Sequence, residues 1–333
     1  MTAKKSLVKE TVTLLRNRGA KSLEIARQSI QQEEIEHKLL AEAMRYFATE
    51  AFPDVMHPGL LTIYCEAVGG NPDETIQVGA AMTLLVAAAD IHDDLVDGSE
   101  IKNGKPTVLG KYGKDIAVLT GDAFLIKGLY LLHEATAEFP SGKKNTLLRL
   151  VKQAFFDLSS AEAEEAAFRG NVDVSGRDYF ELIKRKTAVA EATAKIGAIL
   201  GNGTINQVRA LGEIGYTLGL LNTLRDEFID VFEADELSNR FKNEILPLPV
   251  LYVFQDPEKK KQIIQLLKEL KLTKAKTERI VDIVMEAKET EELRNEMRFL
   301  MRKGLRSASK LRCAQKQLML MLNSATEDLS FEP

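Results

Sequence analysis

The stretch DETIQVGAAMTLLVAAADIHDDLVD, residues 73–97, sets apolar side chains at three- and four-residue steps and ends in a knot of acids. That spacing is the helical period, and a helix this apolar belongs inside a bundle. A second stretch repeats the plan: INQVRALGEIGYTLGLLNTLRDEFIDVFE, residues 205–233, is again helix-periodic and again closes on acids. Positions four apart share a helix face, so Asp93 lies over Asp97 and Asp226 over Asp230, with Asp94 and Glu227 between them. Carboxylates crowded like this repel, and holding them ionised among apolar neighbours is costly without cations. Mg²⁺ takes one or two protein carboxylates and fills its octahedron with water and phosphate oxygens, so it suits the pattern. A diphosphate is the natural third party.

The same period runs through residues 34–50, 115–138, 146–169, 178–200 and 274–323, and the N-terminal segment reads as a first amphipathic helix. Strand alternation is scarce, so the expected fold is all-α. Breaks fall at Phe52-Pro53, His57-Pro58-Gly59, Gly69 to Pro72, Gly104-Lys105-Pro106, Pro140-Ser141-Gly142 and Gly201-Asn202-Gly203, and none is a long linker. We therefore read one domain over residues 1–333. The Lys/Glu-rich stretch 256–276 reads as a solvated helix face.

Composition narrows the function. With 45% hydrophobic residues in 333, the chain can bury a large core. A net charge of -4 and the lack of a basic stripe with interleaved aromatics argue against nucleic acid as partner. Cys65 and Cys313 stand far apart with no CxxC spacing, which points away from disulfides and zinc and towards a reducing cytoplasm. The longest charge-free apolar run, Val78 to Ala89, is about 12 residues where a bilayer needs roughly 20, so no membrane span is expected. No secretory h-region is seen near the N-terminus.

With the acids placed on helices, the surrounding residues resemble the trans-isoprenyl diphosphate synthase (polyprenyl synthetase) family. HDDLVDGSEIKNGKPTV, residues 92–108, is similar to its first Asp-rich motif and the loop after it, and RDEFID, residues 225–230, to its second. Leu119-Thr120-Gly121-Asp122 resembles the GD element, Lys186-Thr187 the KT pair, and Gly215 to Gly219 the lead into the second motif. Pro58 and Glu66 to Gly70 fall where an early turn and helix end would be, so the likeness covers residues 30 to 255.

The resemblance implies an isoprenoid-synthase bundle of roughly ten or more helices around a deep central cavity, built as a homodimer. It implies ionisation of an allylic prenyl diphosphate and capture of the cation by isopentenyl diphosphate or another acceptor. About three Mg²⁺ per site would assist as Lewis acids, held by Asp93, Asp94 and Asp97 and by Asp226 with Asp230. Lys186 and Lys102 would act on the diphosphate as catalytic cations, with Thr187 and Thr223 nearby and Arg240 and Lys242 as substitutes for a missing Lys loop. Ala88 and Ala89, small residues before the first motif, would leave the chain tunnel open for roughly twenty carbons or more, with Met82, Leu84, Leu85 or Phe124 as the floor.

The departures from the family pattern gather on the acceptor half. Where it has Lys, Arg and His gripping isopentenyl diphosphate, this chain has Asp54, His57, Val86 and Asn103. Charge-assisted contacts contribute roughly 1.5–3 kcal/mol each, so acceptor binding should fall by several powers of ten. Three readings follow, in order: a prenyltransferase; a terpene cyclase or diphosphate-lyase that ionises without isopentenyl diphosphate; and a non-catalytic partner subunit of a heteromeric synthase. The role of Asp90, one turn before Asp94, stays open between a dimer interface and the metal cluster.

Overall fold

Helical periodicity is realised along most of the chain. The structure, a computed structural model, describes residues 6–51, 56–102, 104–268 and 272–327. Ser6 caps α1 (Leu7–Gln31), its hydroxyl accepting from the Lys9 amide, and the helix buries Leu15, Leu23, Ala26 and Ile30 along one stripe. The stretch 34–50 becomes α2 (Lys38–Tyr46) running into a π-helical turn, Phe47–Ala51. Next comes α3 (Met56–Ala67), which periodicity did not mark. It is buried almost all round, and a helix with no wet side shows no alternation to read.

The deciding stretch forms a 3-10 turn, Pro72–Thr75, and then α4 (Ile76–Asp97). Its stop is Gly98, whose φ of 68° lies in the left-handed region that a side chain would strain. Beyond it a short hairpin, β1 (Ile101–Lys102) and β2 (Lys105–Pro106), folds back towards α4, and α5 (Val108–Tyr112), α6 (Lys114–Ala135) and α7 (Ser141–Phe168) follow. Residues 178–200 make two helices, α8 (Gly176–Lys186) and α9 (Ala188–Leu200). They part at Thr187, whose hydroxyl donates to the Lys184 carbonyl and competes with the helical ladder. A capping box of Thr204 and Gln207 opens α10 (Ile205–Asp230). The rest is α11 (Ala234–Asn243), α12 (Leu248–Val253), α13 (Pro257–Leu267), α14 (Lys274–Met285), α15 (Lys288–Ala308) and α16 (Gln315–Ser324).

Packing follows from the apolar faces. α4 lies against α6 and α1, α3 joins α1 to α9, α9 rests on α10, and α10 backs onto α15. Phe47 and Phe124 meet edge to face at 5.4 Å within the α4–α6 layer. Each fully buried Leu or Phe contributes roughly 1.5–3 kcal/mol, so this layering holds the acid-bearing ends of α4 and α10 in place. α16 returns to α1, where the Glu327 carboxylate accepts from the Ser6 hydroxyl at 3.2 Å and the Val8 amide at 2.9 Å.

Against the expectation of no membrane-length segment, residues 72–97 and 114–135 are long and apolar enough to cross a bilayer by length and composition. The charge-free run misses them because a helical window tolerates a few ionised residues, such as Asp122 and Lys127 within the second segment. The first window is mostly buried within the fold. The second leaves Val118, Leu119, Ile126 and Leu129 exposed.

Candidate active site

Four acids, Asp90, Asp93, Asp94 and Asp97, occupy about 100° of arc on the last turns of α4, and the structure divides them. Asp94 is buried and accepts from the Lys102 ammonium at 3.3 Å, and the same ammonium reaches Asp90 at 2.5 Å. Burial pushes the Asp94 carboxyl up to about 6 although Lys102 opposes it. Burial works against the charge on Lys102, but Asp90 and then Asp94 outweigh it and hold the ammonium above its ordinary pKa. Sequence reasoning gave Asp94 to a metal and Lys102 to the diphosphate, whereas here they are given to each other. Asp90, one helical turn below Asp94, is the reason: it supplies a second carboxylate and draws the ammonium in.

The other two acids look elsewhere. Arg169, from the end of α7, donates to Asp97 through Nη2 and to the Val96 carbonyl through Nη1 at 2.5 Å. It thereby caps the carbonyl end of α4, where a cation is favoured. Asp93 has no ion-pair partner among the described residues. Burial first, then Asp97 and Glu162, push its carboxyl up to about 7.

Asp93 stands at the mouth of a cavity of about 530 Å³ between α4, α6 and α7. Ala88, Ala89 and Val86 form its α4 wall, and Leu125, Phe155 and Leu158 close it. The small pair is thus where the sequence placed it, but the floor is not. Met82, Leu84, Leu85 and Phe124 are all buried in the packed core, outside this lining. At the rim His92 lies 3.4 Å from Asp122, and Gly121 has no room for a Cβ, which would come within 2.4 Å of the imidazole. That contact gives the Gly-Asp element its physical reason.

Lys186, the last residue of α8, is held by two acids of α7, at 3.1 Å from Glu162 and in direct contact with Glu165. Burial disfavours its charge, yet Glu165 and Glu162 more than offset this and raise its pKa. Asp93 also acts on it electrostatically, so the ammonium sits beside the open carboxylate. Thr187 is buried with its hydroxyl spent on Lys184, so it shapes the helix break rather than facing the cavity.

The second acidic cluster is built differently. Glu227 is buried and accepts from the Tyr179 hydroxyl at 3.0 Å, the Leu248 amide at 2.6 Å and the Arg240 guanidinium at 3.0 Å. Arg240, 6% exposed, also donates to Asp230 at 2.5 Å and to the Ile245 carbonyl at 2.8 Å. Every arm of its fork is engaged. Sequence reasoning gave Arg240 to the substrate, but it serves Glu227 and Asp230 because α11 folds back and buries it against α10. Burial raises Glu227 above the usual carboxylate range while Arg240 and the Leu248 amide restrain it.

Asp226 is left open, its side chain 68% exposed and 3.8 Å from Arg225. Burial of the site and then, beyond Arg225's opposing charge, the neighbours Asp230 and Glu227 push it up to about 6. A carboxyl so well hydrated feels the smaller part of that push. Thr223 donates to the Gly219 carbonyl at 3.2 Å, and Lys242 is exposed on α11. His57 lies in the first turn of α3, while Asp54 and Asn103 lie outside the described residues.

The two clusters share one side of the molecule. Glu165 contacts Lys186 and lies 3.5 Å from the Tyr179 hydroxyl, which bonds Glu227. A second cavity, about 610 Å³, is lined by Asp97 and Glu100 from the first cluster's end and by Glu233, Asp235 and Glu236 beyond the second. Among the described residues no three acidic, His or Cys side chains converge on one point. Mg²⁺, bound through one or two carboxylates plus phosphate oxygens, needs no such cage, so Asp93 and Asp226 fit it.

A helical bundle with paired acids above an apolar cavity defines a class, and comparison with known proteins identifies it. The polyprenyl synthetase family model matches residues 37–284. A geranylgeranyl diphosphate synthase of Sulfolobus acidocaldarius is 30% identical over 227 residues, 68% of this chain and 66% of that one. A short chain isoprenyl diphosphate synthase of Methanothermobacter thermautotrophicus is 30% identical over 228 residues, 68% of each. The alignment thus spans about two thirds of these relatives. The crystal structure of a geranylgeranyl pyrophosphate synthetase from Pyrococcus horikoshii superposes with a TM-score of 0.84 at 23% identity, covering 96% of this chain and 98% of that one. The chain belongs to the polyprenyl synthetase family, a family of prenyltransferases.

Proposed function

We propose that the chain is a Mg²⁺-dependent prenyltransferase that ionises an allylic prenyl diphosphate and passes the chain to isopentenyl diphosphate or another acceptor. One observation carries this: an apolar cavity opens at Asp93, the acid of its cluster left without a paired cation among the described residues. Asp93 and Asp226 would hold Mg²⁺, with Asp97 and Asp230 behind them. When bound, the metal neutralises charge growing on the departing diphosphate. Lys186, poised beside Asp93 on Glu162 and Glu165, turns to the diphosphate oxygens as these arrive. Val86, Ala89, Leu125, Phe155 and Leu158 shelter the carbocation from water.

The acceptor is the part least like the family. Lys102 is neutralised by Asp90 and Asp94, so a second diphosphate finds less positive charge there than the family pattern provides. The exposed apolar residues of α6, with Phe156 on α7, suit a homodimer, and two unpaired cysteines suit the cytoplasm. The test is diphosphate release from allylic substrates of increasing length with Mg²⁺, with and without isopentenyl diphosphate. Release and elongation only with isopentenyl diphosphate support the reading; release without it points to a cyclase or lyase. No release under any condition, from protein that binds the substrate, points to a partner subunit.

A further inference from the structure

The acid clusters share a pattern that the family motif does not state. In each, the inner acid is the less engaged, Asp93 with no ion-pair partner among the described residues and Asp226 68% exposed with its chain neighbour Arg225 at 3.8 Å, while the outer acid four residues later carries a closely bound arginine. Arg169 donates to Asp97 and to the Val96 carbonyl. Arg240 donates to Asp230 and to the Ile245 carbonyl. These arginines come from unrelated segments, the end of α7 and the last turn of α11, yet each ties the outer acid to a main-chain oxygen, and Arg240 is held by Glu227 and Tyr179 besides.

We infer that each acidic cluster is half-filled by a built-in guanidinium, Arg169 on Asp97 and Arg240 on Asp230, leaving one carboxylate per cluster for divalent cations. This rests on the diphosphate-and-metal reading above. Guanidinium stays charged at any ordinary pH, so the arginine is a permanent occupant, unlike a lysine that can shed its proton. Drawing Asp230 onto a metal would strand the buried Arg240 with Glu227 alone, and breaking such pairs is strongly unfavourable. At Asp97 the competing cation also holds the helix end, so displacing it undoes two contacts. The site would then stabilise the leaving diphosphate with fewer metal ions than an open pair of Asp ledges recruits.

The experiment counts ions instead of turnover. Mn²⁺ bound by the full chain with inorganic pyrophosphate is measured by electron paramagnetic resonance for wild type, Arg169→Met, Arg169→Lys and Arg240→Met. Wild type should saturate near about two Mn²⁺ per chain. Arg169→Met should bind Mn²⁺ at least about tenfold more tightly at one site or gain an ion, the order expected from removing one unit charge a few ångströms away. Arg169→Lys should behave as wild type. Arg169 is partly exposed, so its variants test the inference even if Arg240→Met fails to fold. About three ions in wild type, with affinities unmoved in Arg169→Met, overturns the inference alone. No Mn²⁺ bound by wild type or variants sinks the diphosphate reading and the inference with it.

Discussion

The two acidic clusters have the same spacing of acids and opposite construction. On α4 the carboxylates stand on a cavity wall, and their cations arrive from a surface hairpin and a helix end, Lys102 and Arg169, both partly exposed. On α10 the middle acid is buried in a hub that ties α8, α11 and the start of α12 together through Tyr179, Arg240 and the Leu248 amide. The first is built for access and the second for rigidity. A site that must admit a long chain and yet hold a diphosphate still needs one of each.

The comparison breaks most visibly at Asp93. Asp93→Ala should lower diphosphate release by about 10³-fold or more without lowering the melting temperature, because it removes the open ligand and no stabilising contact; steady-state release and thermal unfolding together check both halves. Next in size is the hub. Arg240→Met should cost about 3–5 kcal/mol of stability by leaving Glu227 charged and buried, and adding Glu227→Gln should recover part of it, as read by chemical denaturation.

A smaller effect separates the clusters by pH. Native Asp93 keeps its proton up to about pH 7, whereas an unfolded aspartate loses it near 3.8. Between those values the native state binds more protons, so stability in EDTA should fall as pH rises from about 4 to 7. Asp93→Asn should flatten that slope; an unchanged slope would move the burial penalty to another acid. Finest of all is chain length. Phe155→Ala should extend, and Ala89→Phe shorten, the longest allylic substrate accepted, with chromatography of the products as the measure.

Much of this was legible beforehand. Period 3.6 marked the long helices, and the acids at four-residue spacing marked both ends of the site. What escaped notice had a common cause. α3 is buried almost all round and has no polar face to set a period. The break at Thr187 depends on one hydroxyl taking a carbonyl from the helix. Lys102 is drawn in by Asp90, whose role the sequence leaves open between a dimer interface and the metal cluster, and Arg240 is claimed by an acid-rich hub that exists only once α11 returns to α10. The cavity floor came from α6 and α7 because the position of α7 relative to α4 cannot be read from either helix alone. A buried-arginine signal was nevertheless present: a lone Arg ten residues after the last acid of a motif, on a helix rich in acids, invites pairing.

One contact reaches beyond catalysis. Ser6 and Glu327 touch, so residues from opposite extremes of the described chain meet at a single point on the surface. A peptide linking these two residues would close the described helices into a ring, and the ring could then be opened at an exposed turn such as Ala137-Glu138. Such a permuted protein would keep both acid ledges in register while folding in a different order.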